Sequence, residues 1–105
     1  MNQLHLPPKA PTEEIIISLG FAARLKTGET ITEATTTVEV IEGADSAPES
    51  ILSGSADLSS APVVAQKIIG GVLGVTYLIK ILATTSASRK IMGARALKIT
   101  QGGAP

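Results

Sequence analysis

Apolar and polar residues alternate along two long stretches of the chain, and this period of two is typical of half-buried β-strands. In residues 30–41, Thr36, Val38 and Val40 share one face, whereas Glu39 and its polar neighbours share the other. In the second stretch, residues 76–83, the inward positions are Tyr77, Ile79, Ile81 and Ala83. Each stretch therefore predicts a strand with one face in the core.

Shorter runs of β-branched and aliphatic residues predict further strands between turn signals. Residues 14–19 carry three successive isoleucines, and residues 21–25 continue this strand past Gly20, where we expect a bulge or a bend. Residues 91–100 close the chain as a strand with Leu97 and Ile99 inward; the helical alternative is local to residues 94–101. The remaining predicted strands are residues 51–52, a very short one at Leu58, and residues 62–69.

Short strands separated by turn residues roughly every eight to twelve positions predict a sandwich or a barrel. The turn signals include residues 27–29, the loop 42–49 and the polar stretch 84–90. The predicted fold class is all-β, an immunoglobulin-like antiparallel β-sandwich of about seven short strands. The strand boundaries within residues 42–61 are not defined by the pattern.

Both termini lack the alternating pattern. Three prolines within residues 1–12 favour extended backbone, so this segment is predicted to be an extended N-terminal arm outside the core. The arm either docks on a neighbouring subunit or is a frayed terminus. Residues 13–100 form the predicted sandwich and residues 101–105 a flexible tail. The candidate partner contacts of the arm are Leu4, Leu6, Pro7 and Pro8.

A cluster of glycines precedes the only tyrosine of the chain. Gly70, Gly71 and Gly74 supply backbone freedom where one strand ends, and Tyr77 opens the next strand. This arrangement is typical of a tyrosine corner, in which the hydroxyl bonds to backbone a few residues upstream. We therefore predict a structural role for these four residues.

Composition excludes several classes of binding protein. Nine basic and nine acidic residues give a formal charge of zero, which does not provide the basic field that nucleic-acid binding needs. Phe21 and Tyr77 are the only aromatic residues, too few for a base-stacking platform. The chain has no cysteine, and therefore neither disulfides nor thiolate metal sites. No nucleic-acid partner and no cofactor are expected.

Few residues are candidates for a catalytic, metal-binding or phosphate-binding site. His5 is the only histidine and lies in the proline-rich arm, so we expect a solvated side chain and no metal site. The glycines at 70–74 lack the spacing of a phosphate-binding loop. Glu13 and Glu14 would face opposite ways on a strand, and residues 86–90 form a polar turn. The sequence therefore predicts no enzyme activity.

A membrane span is also not expected. The longest apolar stretch, residues 68–79, is bounded by Lys67 and Lys80 and contains three glycines. It falls well short of the roughly 20 residues that a spanning helix needs. The N-terminus lacks the basic and apolar regions of a signal peptide.

Several short motifs, in order, resemble those of the phage fibre–tail adaptor family. Residues 21–25 are similar to the family's Trp-Ser-Ala-Arg-Leu, with Phe21 in place of tryptophan. Residues 28–31 are similar to Gly-Asp-Thr-Ile. The glycines and tyrosine of residues 70–77 match a Gly-Gly, two residues, Gly, two residues, Tyr pattern. Residues 83–89 resemble a Thr/Ser-rich strand end and a Gly-Arg turn, with serine where glycine is more usual. Gly20 replaces an aspartate, so no role of that acidic residue carries over.

The resemblance covers about residues 14–99 and implies an immunoglobulin-like component of the virion tail. It implies that the chain attaches tail fibres to a tail or nozzle protein and forms a ring of copies. Assembly would take place in the cytoplasm of the host bacterium. A neck or head-decoration protein of the same fold is the nearest alternative. A bacterial surface binding module is disfavoured, because stacking on a ligand would require exposed aromatic residues.

Overall fold

A computed structural model of the chain describes Leu6 and residues 8–100, which contain six β-strands and two short 3-10 helices. The strands are β1 (Ile15–Gly20), β2 (Ile31–Glu42), β3 (Leu52–Asp57), β4 (Val63–Ile68), β5 (Thr76–Thr85) and β6 (Lys90–Lys98). The 3-10 helices are Ala22–Arg24 and Pro48–Ile51.

The strands form two three-stranded antiparallel sheets that pack face to face. One sheet has the order β1-β4-β3 and the other β2-β5-β6. The alternation predicted for β2 and β5 is observed, since Val38 is buried and the inward residues of β5 are fully buried. The all-β sandwich is therefore confirmed, while its immunoglobulin-like character stays a prediction.

Two apolar clusters fill the space between the sheets. One surrounds Tyr77 and includes Ile68, Leu97 and Ile99. The other surrounds Phe21 and lies toward the opposite end of β5, where it contains Ile81 and Ala83. Gly93 of β6 permits close packing here, because an added Cβ would lie 2.8 Å from Cδ1 of Leu19.

Three details of the predicted strands are wrong. Residues 21–25 do not continue β1; Phe21 turns into the core and Ala22–Arg24 forms a 3-10 helix. Leu58 lies in the turn after β3, so the described residues hold six strands instead of about seven. The helical alternative for residues 94–101 is wrong as far as the structure describes them, because β6 pairs with β5 up to Lys98.

The described part of the N-terminal segment packs against the sandwich. Lys9 and Ile99 form a parallel bridge, in which Lys9 N–H donates to the Lys98 carbonyl and Thr100 N–H to the Lys9 carbonyl. Lys9 and Ala10 are buried, and Leu6 packs against the Tyr77 cluster. The expectation that residues 1–12 stay outside the core is therefore wrong for these three residues. Leu4, His5 and Pro7 lie outside the described residues, as does the predicted tail 101–105.

Within the described part of the chain, no helix has the length and apolar character needed to cross a membrane.

Candidate functional site

The sandwich has two structurally different ends, separated by the length of β5. From Tyr77 to Thr85 the strand advances eight residues, or about 26 Å at roughly 3.3 Å per residue. At one end lies the glycine-rich loop between β4 and β5, which we call the loop end. At the other lies the β5–β6 hairpin turn, which we call the hairpin end.

Tyr77 anchors the loop end through its hydroxyl group. The hydroxyl accepts a hydrogen bond from the Val72 backbone N–H at 2.9 Å, five residues upstream, and donates one to Oδ2 of Asp45 at 2.6 Å. Burial, together with the bond to Asp45, raises the pKa of Tyr77 to about 12. The same bond holds the pKa of Asp45 below its ordinary value. The stabilising role of this corner stays a prediction until the hydroxyl is removed.

The glycines of the loop adopt backbone conformations that other residues avoid. Gly70, Gly71 and Gly74 have φ values of +59°, +106° and +86°. Gly71 also has a steric requirement, because an added Cβ would lie 2.7 Å from Cδ1 of Ile99. Gly71 is therefore the position at which the loop most needs glycine as it turns over the end of the core.

Lys9 holds the same loop from the N-terminal side. Its ammonium donates to the carbonyl of Gly70 at 2.6 Å and to that of Ala10 at 2.8 Å. Burial lowers the pKa of Lys9 below its ordinary value, although Glu13 and Glu14 oppose this effect. The sequence analysis missed this residue, because a lysine among prolines carries no signal of burial.

The outer surface of the loop end is apolar. Val72 and Leu73 form the tip of the loop and are 44% and 55% exposed. Ile41, near the end of β2, is 50% exposed and lines a shallow groove with Glu42, Thr76 and Lys98. Polar bonds beneath the loop thus fix an apolar surface above it.

An ion pair holds the hairpin end together. Nη2 of Arg89 lies 2.7 Å from Oε1 of Glu29, and its Nε donates to Oε2 at 3.0 Å. Thr85 also donates to this carboxylate, and Nη2 of Arg89 donates to the Arg24 carbonyl. The bond to Arg89, followed by those from Lys26 and Thr85, lowers the pKa of Glu29 to about 2. Three motifs that are separate in the sequence, residues 21–25, 28–31 and 83–89, therefore meet in one network of hydrogen bonds.

The conformation of the hairpin turn explains why glycine is more usual than serine at position 88. Ser88 has φ +62°, in the left-handed region that glycine favours. Its N–H donates to the Thr85 carbonyl, which closes the turn. A glycine at this position would adopt the same conformation without strain.

The sides of the sandwich offer further exposed surface. β2 presents twelve residues at the edge of its sheet, with β5 on one side and no strand on the other among the described residues. A cleft of about 300 Å³ lies between β2 and β3, and Thr36 and Gln66 line it. Gln66 is buried and its amide nitrogen donates to the carbonyls of Ser53 and Gly54, where β3 bulges.

The described residues contain no cluster of three or more histidine, cysteine, aspartate or glutamate side chains that could hold a metal ion. The polar networks at the two ends consist of paired groups that bond to backbone or to each other. Their arrangement stabilises the turns at the two ends of the sandwich.

Comparison with protein families places the chain among phage tail proteins. The family model described as podophage GP4 fiber-tail adaptor protein gp77 matches residues 9–98, which is most of the chain. No curated protein matches. The matched range begins at the buried Lys9 and includes the networks at both ends of the sandwich. The chain therefore belongs to the podophage fiber-tail adaptor family.

Proposed function

We propose that this chain attaches tail fibres to the tail of a podophage virion, as a rigid adaptor that performs no catalysis. The observation that carries the proposal is the family match over residues 9–98. A tail or nozzle protein would bind one surface of the sandwich and the fibre protein another. Assembly would take place in the host cytoplasm, before the particle is released.

The mechanism is geometric. The bonds of Tyr77 and of Glu29 fix the two ends of the sandwich, so the distance between surfaces bound by two partners is constant. Partners that bind a preorganised surface lose little conformational entropy on the adaptor side. Several copies around the tail would increase the strength of attachment through multivalency, without any single contact being strong.

Two elements are suited to partner contacts. An edge strand such as β2 offers backbone donors and acceptors along its free side, and a partner strand can pair with them. The N-terminal segment, with Leu4, Pro7 and Pro8, is the second element. Lys9 and Ala10 are buried and Leu6 packs against the Tyr77 cluster, so Pro8, which is half-buried, is the described residue among these candidates that is best placed to contact a neighbour.

Loss of the chain from the phage tests the function. Particles made without it should have tails that lack fibres, and purified full-length chain should restore the fibres. Tails that retain fibres without the chain would contradict the proposal. In a variant lacking residues 1–5, we expect unchanged folding and weaker attachment. Attachment at full strength would show that residues 1–5, including Leu4, take no part in the contact.

A further inference from the structure

We propose that copies of this chain join head to tail, the apolar tip of one copy seating in a recess at the hairpin end of the next. The tip consists of Val72 and Leu73, the two exposed apolar residues of the glycine-rich loop. The inference deepens the proposed function and rests on it only for the expectation that several copies act together.

The tip is fixed before any partner binds. Val72 N–H is bonded to the Tyr77 hydroxyl, and the carbonyl of Gly70 is bonded to the buried ammonium of Lys9. Exposed apolar side chains on a loop held in this way are suited to insertion, since little further ordering is needed on binding. Leu73 is the more exposed of the two and is the natural side chain to insert.

The hairpin end carries a recess of matching size and chemistry. Its volume is about 120 Å³. A cavity of about 150 Å³ with apolar walls binds a benzene molecule, so this recess admits one aliphatic side chain. Its only carboxylate, that of Glu29, is held by Arg89. The walls are formed by Leu25, Ile31, Ala61 and Pro62, with Glu29 and Thr30.

The charges around the two surfaces are complementary. The loop end carries four carboxylates and three lysine ammonium groups, which leaves one net negative charge. The carboxylates are those of Glu13, Glu14, Glu42 and Asp45, and the lysines are Lys9, Lys67 and Lys98. Glu29 lines the recess and pairs with Arg89, and the backbones of Arg24 and Lys26 bond to this pair. These four residues together carry two net positive charges, although the Arg24 guanidinium itself donates to the Met92 carbonyl. Contact between the two ends of different copies therefore brings opposite charges together.

A tip at one end and a recess at the other make the contact heterologous. The two lie about 26 Å apart along β5, at opposite ends of one rigid sandwich, so one copy cannot fill its own recess. Each copy can both give and receive a contact. A repeated contact of this type closes into a ring when its rotation allows.

Paired single cysteines test the contact, and the absence of native cysteine makes the result unambiguous. Full-length Leu73→Cys and Ala61→Cys proteins are mixed at high concentration and oxidised. We expect a disulfide-linked dimer in the mixture and only monomer in either protein alone. A matched control pairs Ile16→Cys with Ala61→Cys; Ile16 is 68% exposed on another surface and should give no dimer.

Two results would overturn the proposal. Dimer formed by Leu73→Cys alone would show contact between two tips, and absence of dimer in the mixture would show no contact with the recess. In sedimentation experiments, Leu73→Asp should weaken self-association by roughly 10- to 100-fold, because one buried aliphatic side chain is lost. Ile16→Asp should not. Normal fibre attachment by chain that forms no such dimer would refute this contact and leave the adaptor function standing.

Discussion

Removal of one hydroxyl group tests how the loop end is held. In Tyr77→Phe, the ring stays in the core while the Val72 N–H loses its acceptor and the Asp45 carboxylate loses a donor. An unsatisfied group of this kind costs about 1–3 kcal/mol, and bonds to charged groups lie in the upper part of that range. Since Asp45 is only half-buried and keeps its bond from Ala47 N–H, water can compensate on that side. We therefore expect a loss of about 1–3 kcal/mol, or roughly 5–15 °C in Tm.

Urea unfolding followed by far-UV circular dichroism measures this loss. Circular dichroism is needed because Tyr77 is the only tyrosine and the chain has no tryptophan, so the variant has no fluorescent probe. The m-value should stay unchanged. In an Asp45→Ala background, Tyr77→Phe should cost less, because one of its bonds is already absent. A stability within about 0.5 kcal/mol of the natural chain would refute the corner.

Four further predictions concern Tyr77, Glu29 and Gly71. Absorbance at 295 nm should show Tyr77 ionising near pH 12 in the natural chain, and a midpoint at pH 10 would contradict its burial. In Asp45→Ala the pKa of Tyr77 should fall but stay above 10, because burial is the larger cause of the raised pKa. Since the pKa of Tyr77 is raised by folding, stability should decrease as the pH rises from about 10 to about 12. The pKa of Glu29 is lowered by folding, so its contribution to stability should be present above about pH 4.5 and be lost as the pH falls toward about 2. Glu29→Gln should remove this part of the pH dependence of acid unfolding. An unchanged acid-unfolding curve in the variant would show that the ion pair contributes nothing to stability. Gly71→Ala should destabilise by at least about 1–2 kcal/mol from its positive φ alone, whereas Gly20→Ala, with open space around it, should be close to neutral in the same unfolding assay.

The sequence was sufficient to predict the strands whose two faces differ. In β5 one face is buried and the other half-buried, and in β2 one face is half-buried or buried and the other exposed, so the side chains of both strands follow a period of two that is visible without a structure. Tyr77 could be singled out for a similar reason, since glycines and a lone tyrosine at a strand start restrict the local conformation. The bounds of β3 could not be predicted, because Gly54 and the bulge at which Gln66 bonds to the β3 backbone interrupt the alternation of apolar and polar residues.

Contacts between residues distant in sequence could not be predicted. Glu29 and Arg89 are 60 positions apart, and neither the ion pair nor its link to Arg24 follows from local pattern. Lys9 was assigned to the arm because prolines surround it. Its burial depends on the carbonyl of Gly70, which only the folded loop brings within reach. Phe21 likewise continues an apolar run in the sequence, yet the chain turns there to fill the second core cluster.

Cryo-electron microscopy of the intact particle tests the central claim most directly. With the sandwich fitted into the density, we expect copies of it at the junction between the tail and the base of each fibre, in contact with both. Fibre bases that touch the tail with no sandwich between them, or a sandwich found only on the head, would contradict the adaptor function.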